Sequence, residues 1–210
     1  MKKQMKSSLL FFAAALACLN ALAAGPFEPF GGHTPVPLER QANDPSAQVT
    51  VFQPNWLQPI LPETMPQPGE EKVKLQSCAA LGEYECFVFA LRSDRPTELG
   101  WSITPFANAA GDVIGPEWFE LRVQRTLDTH KDVNGKVAIT PLGLDLCEAI
   151  PLKAEETVAL VLDVKVPEDA KPGLYKATIA LTGLAQPVEL PVALRVLPFP
   201  LVRDTRSYGS

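Results

Sequence analysis

Over the second half of the chain, apolar and polar residues alternate with a period of two. Phe119, Leu121 and Val123 are separated by Glu120, Arg122 and Gln124. Val158, Leu160, Leu162, Val164 and Val166 form a second row, with Asp163 and Lys165 on the opposite parity. Tyr175, Ala177, Ile179 and Leu181 form a third, and Val188, Leu190, Val192, Leu194 and Val196 a fourth. Successive side chains of a strand point to opposite faces, so each row predicts a half-buried antiparallel strand. Glu85 to Leu91 is apolar on both parities, as a central strand would be. No segment after residue 24 carries a helical period. The pattern predicts an all-β chain.

Turn residues fall where that reading needs them. Asn134-Gly135 is a strong hairpin signal, and Thr182-Gly183-Leu184 can close another. Seven or eight strands, about 10 to 20 residues apart, predict an immunoglobulin-like antiparallel β-sandwich with Greek-key connections. Pro172-Gly173 followed by Tyr175 fits a tyrosine corner, in which the hydroxyl bonds back to the preceding loop. A half-buried strand tyrosine is the other reading of the same residue.

Ahead of the alternating region, residues 24–70 hold ten of the 21 prolines. Proline fixes φ and removes a backbone donor, which excludes a long helix or a central strand there. A short strand is expected at Gln48 to Phe52, where Val49 and Val51 alternate with polar residues. The remainder reads as a linker or as a lead-in wrapped on the domain surface. Further upstream, Lys2, Lys3 and Lys6 precede the apolar stretch Leu9 to Ala17, and Ala21-Leu22-Ala23 offers a small-x-small cleavage site. These are the parts of an export signal covering residues 1–23. Cys18 could support a lipoprotein reading, but Ala15 stands where a Leu is usual. The expected location is periplasmic or secreted, in a bacterium.

Composition narrows the function. Of 210 residues, 46% are hydrophobic and 20% charged, with a net charge of -5. Removing the three signal lysines leaves 16 basic against 24 acidic side chains, a net charge of -8. That balance excludes a polybasic nucleic-acid binder and gives the mature chain no attraction to anionic membranes. Beyond the signal, no apolar run is long enough to span a bilayer.

Cys78, Cys86 and Cys147 remain after cleavage, in a compartment that permits disulfides. A hairpin centred near Gly82 would set Cys78 opposite Cys86 within bridging distance, with Cys147 left free. Each could equally be a small buried hydrophobe. No C-x-x-C is present, so zinc and thioredoxin-like chemistry lack their signal, and neither a metal nor another cofactor is expected.

The search for catalytic machinery finds little. His33 and His130 stand alone in loops, and none of the G-x-S-x-G, P-loop, H-E-x-x-H or G-x-G-x-x-G motifs occurs. The run from His130 to Gly135 is a poor calcium loop, because Pro141 stands where a bidentate Glu is needed. Glu83 with Glu85, and Glu117 with Glu120, are the carboxylate pairs that glycosidic cleavage would require, without the aromatic surroundings of a sugar cleft. No catalytic residue is assigned. Trp56, Trp101 and Trp118 are the candidate ligand-binding residues, since exposed aromatics stack on sugar faces. Core or edge packing is the alternative for each.

The segments Gly82-Glu83-Tyr84-Glu85, Val166 to Ile179 (V-P-E-D-A-K-P-G-L-Y-K-A-T-I) and Leu190 to Leu201, ending V-L-P-F-P-L, occur in that order. Together they resemble the N-terminal β-sandwich domain of bacterial glycoside hydrolase family 123-like proteins, over about residues 70–201. The resemblance implies a (β/α)8 barrel following the sandwich and carrying the acidic pair that acts on N-acetylhexosamine linkages. No residue here matches that pair. The expected organisation is therefore a signal peptide (1–23), a Pro-rich lead-in (24–70), a sandwich (71–201) and, at 202–210, the start of a linker to a C-terminal domain outside this chain. The expected function is an exported, non-catalytic accessory module whose partner is that barrel. A stand-alone carbohydrate-binding module, or a structural or adhesive envelope module, are the rival expectations.

Overall fold

The computed structural model describes residues 39–55, 57–131 and 137–201, with backbone only for 127–131, 137–140 and 142. Strands β1 (Val49–Phe52), β3 (Tyr84–Ser93), β10 (Thr157–Lys165), β7 (Phe119–Lys131) and β8 (Val137–Leu146) form one sheet, in the order β1-β3-β10-β7-β8. The second sheet runs β2 (Leu75–Leu81), β12 (Val188–Pro200), β11 (Gly173–Thr182), β4 (Thr97–Ile103) and β9 (Ile150–Leu152). Two short strands, β5 (Phe106–Ala107) and β6 (Val113–Ile114), extend it beside β11. A 3-10 turn at Pro116–Trp118 leads into β7. The named strands pair antiparallel except for β2 on β12, which is parallel.

The all-β sandwich read from alternation is the fold that forms. Phe87, Phe89 and Leu91 of β3 join Leu121 and Val123 of β7 and Leu160, Leu162 and Val164 of β10 in the inward layer of one sheet. Opposite them lie Leu75 and Ala79 of β2, Tyr175 to Leu181 of β11 on alternate positions, and Leu190 to Val196 of β12 likewise. A buried aliphatic side chain of this size contributes roughly 1.5–3 kcal/mol, so these interdigitated rows dominate the stability. The described residues contain twelve strands rather than seven or eight. The extra ones are two to four residues long, too short to show a periodic signature.

The tyrosine corner is present. Tyr175 is buried, and its hydroxyl donates to the Lys171 carbonyl at 2.9 Å. The Thr182-Gly183 turn joins β11 to β12, with Gly183 at φ +99°. A Cβ there would come within 2.5 Å of the Asn43 side-chain nitrogen. That amide donates to the carbonyls of Gly183 and Glu98 at 3.0 and 2.8 Å, tying the start of the described chain to the turn. β7 and β8 pair as hairpin arms, while Asn134-Gly135 itself lies outside the described residues.

One expected hairpin does not form. The turn at Gly82 connects β2 in one sheet to β3 in the other, so the chain crosses the sandwich there instead of folding back in register. Gly82 N donates to Val166 O at 3.0 Å, and Val166 N to Glu83 O at 2.9 Å, which fixes the crossing. Cys78 lies on the outward parity of β2, opposite Arg195, and Cys86 on the outward parity of β3, opposite Asp163. Their side chains face opposite surfaces of the sandwich, and both thiols are free. The proposed bridge is corrected accordingly: a disulfide needs Cβ atoms about 4 Å apart and facing each other.

Candidate functional site

Polar chemistry gathers on the outward face of the five-stranded sheet. Antiparallel register places Cys86, Asp163 and Glu120 side by side across β3, β10 and β7. Arg122, only 9% exposed, reaches Glu120 at 2.5 Å and Asp163 at 3.2 Å. The Cys86 thiol donates to the other Asp163 oxygen at 2.8 Å. Burial, reinforced by that carboxylate, pushes the Cys86 thiol up to about 12. A thiol so shifted is a poor nucleophile, because the thiolate is the reactive form. Burial likewise pushes Cys147 up to about 11. The cluster is a satisfied ion-pair array, with the cation and both carboxylates already engaged.

Beside it, residues 57–70 of the Pro-rich segment fold over the same face. Ile60, 6% exposed, packs with Phe52, Ala90 and Ala159. Its carbonyl accepts from Gln124 Nε2 at 2.7 Å. Thr157 N donates to Pro62 O at 2.8 Å, and Thr157 Oγ1 to Thr64 O at 2.6 Å. These bonds give the strap a fixed path despite its lack of regular structure. They also explain why β3 is apolar on both parities: its outward Ala90 is covered by the strap.

The strap borders a half-open cleft of about 300 Å³, lined by Pro54, Asn55, Gln58, Pro59, Ile60, Thr64, Met65, Gln67 and Glu70. Its ends are clamped by Gln53 N donating to Glu70 O at 2.9 Å and Lys74 N to Gln53 Oε1 at 2.9 Å. Asn55 Oδ1 accepts from Leu57 N, Thr64 Oγ1 from Leu61 N, and one Glu70 oxygen from Gln67 N. Gln67 Nε2 donates to Met65 O. Sequence reasoning read the stretch as a linker or a lead-in wrapped on the domain surface; the second reading holds for the described part, but proline content gave no sign of a cleft. The interleaving of Asn55, Gln58 and Gln67 with Pro54, Pro59, Pro66 and Pro68 was the available signal.

The residues singled out from the sequence do not converge. Trp101 lies on the inward parity of β4, part-buried against the core, and its indole N–H donates to Cys147 O at 3.0 Å. Trp118 closes the 3-10 turn, also part-buried against the core. Trp56 lies outside the described residues, as do the signal segment, His33 and residues 202–210. Glu83 accepts from Ala80 N at 2.6 Å inside the turn, and Glu85 from Ser77 Oγ at 2.7 Å across the sandwich rim. Glu117 is exposed in the 3-10 turn while Glu120 is held by Arg122. Among the described residues, no three His, Cys, Asp or Glu side chains come together as a metal-ligand set.

No protein-family profile matches the chain, and no curated protein matches it. Among solved structures, it is similar to a family 123 glycoside hydrolase from Clostridium perfringens, studied for glycolipid glycan hydrolysis, with a TM-score of 0.55. The identity is 18%, over 64% of this chain and 25% of that one. The likeness shows a shared fold, and this chain spans a quarter of that enzyme's length. AvmM, which catalyses macrocyclization in alchivemycin A biosynthesis, aligns over 80% of this chain at 13% identity, with a TM-score of 0.33 that carries no argument.

Proposed function

We propose that this chain is an exported, non-catalytic β-sandwich module that accompanies a glycan-cleaving catalytic domain. The observation that carries the reading is the fold it shares with a quarter of a family 123 glycoside hydrolase. Two further features support it. Among the described residues, the carboxylates singled out as pairs for glycosidic cleavage do not stand free as pairs: Glu83 and Glu85 accept bonds from Ala80 N and Ser77 Oγ, and Glu120 is paired with Arg122 while Glu117 is exposed. Phe199 and Leu201, each 51% exposed where β12 ends, leave apolar surface suited to packing against a following domain. Fold kinship alone does not transmit activity, so the reading assigns this module a place beside a catalytic domain and no activity of its own.

The test is the reading frame beyond the codon for Ser210, combined with an assay of the purified chain. The expected result is an open frame with alternating strand and helix patterns, and no sugar release from aryl N-acetylhexosaminides by this chain. A stop codon at that point overturns the accessory role. Sugar release by the purified chain overturns its non-catalytic character.

A further inference from the structure

We infer that the strap cleft between Pro54 and Glu70 is a binding site for a neutral saccharide. The ligand class rests on the glycan-related reading above, whereas the site rests on the cleft's own chemistry. Its volume of about 300 Å³ stands at the lower end of small-molecule pockets. Its walls alternate apolar and polar groups: the rings of Pro54 and Pro59 with Ile60, against Asn55, Gln58, Gln67 and Glu70.

The polar groups left over decide what fits. Bonds within the protein occupy Asn55 Oδ1, Gln67 Nε2 and one Glu70 oxygen. On residues that line the cleft, and among the described residues, this leaves the Asn55 amide N–H groups, Gln67 Oε1, the second Glu70 oxygen and the whole Gln58 amide. Two donor groups and three acceptors thus line a space with apolar flanks. Sugar hydroxyls each donate and accept, and the C–H face of a sugar ring matches the proline rings. An anionic ligand would face the Glu70 carboxylate and a chain of net charge -5. A bare cation would find one carboxylate where a hard cation wants six or more oxygens.

The frame is preorganised, which reduces the ordering cost of binding. Prolines at 54, 59, 62, 66 and 68 restrict the backbone. The Thr157 and Gln124 contacts anchor the strap to β10 and β7. Because the wall residues Asn55, Gln58 and Gln67 are exposed, the expected binding is weak, with a Kd on the order of 1 mM.

The experiment is a titration of the isotope-labelled full chain with neutral methyl glycosides (glucoside, galactoside and N-acetylglucosaminide), followed by nuclear magnetic resonance, with glycerol as the non-saccharide control. Saturable shifts of the Asn55, Gln58 and Gln67 side-chain amides are expected from at least one glycoside. Gln58→Ala should weaken that binding at least tenfold without changing the melting temperature. The inference is overturned if no glycoside shifts these amides, if glycerol shifts them as strongly, or if Gln58→Ala binds as well as the natural chain. Such a failure leaves the accessory reading intact, since that reading is decided by the reading frame and the hydrolysis assay.

Discussion

At the scale of single residues, the same side-chain type has different fates according to which sheet and which loop carry it. Cys86 and Cys78 are exposed on opposite outer faces, Cys86 donating to Asp163, and Cys147 is buried. The raised values of Cys86 and Cys147 keep both thiols protonated near neutrality. At about pH 8, iodoacetamide should therefore alkylate Cys78 at least tenfold faster than either of them. Peptide mass spectrometry of the folded chain checks this, and equal rates would refute the environment described for Cys86. The three cysteines were visible in the sequence, but their directions were not. Whether Gly82 closes a hairpin or a crossing depends on which strand each arm pairs with, and that partner lies far along the chain.

At the scale of elements, the strap has no strand or helix between residues 57 and 70, yet it is tied to the sheet by specific contacts. Its contacts are long-range: Thr64 meets Thr157 across 93 positions, and Ile60 meets Gln124 across 64. Ile60 is its apolar plug, in a satellite cluster separate from the main core. Ile60→Ala should lower unfolding stability by about 2–4 kcal/mol, as for other buried aliphatic truncations. Urea denaturation measures it, and a loss below about 1 kcal/mol would mean that the strap is not packed as described. The four long alternating rows were legible because their periodicity is local. Neither the cleft nor its amide lining was legible, because proline patterns report local stiffness and carry no information about what a stiff segment lies against.

At the scale of the whole molecule, a network of carboxylates fastens the start of the described chain to the β3–β4 corner. The Arg40 hydrogen bond holds Glu98 below its ordinary value of 4.5. The Ser46 hydroxyl does the same for Asp44, and the Gln48 backbone N–H for Asp94, whose ordinary values are 3.8. A carboxyl group depressed in the folded state stabilises it fully above the unfolded value, and that contribution disappears as pH falls through the folded one. The melting temperature should therefore hold steady down to about pH 5 and fall below about pH 4. Hydrogen exchange should show residues 39–48 loosening first. A melting temperature unchanged down to about pH 2.5 would show that these ties contribute nothing to stability.

The sequence by itself determined the all-β class and the positions of the four alternating rows, and it offered the tyrosine corner as one of two readings of Tyr175. All three follow from side-chain alternation and turn chemistry within a few residues of one another. Only the tertiary structure decided which sheet each strand joins, which way Cys78 and Cys86 face, and how the strap lies over β3 and β10. Those outcomes are set by strand pairings and hydrogen bonds between residues dozens of positions apart, where local periodicity has no reach.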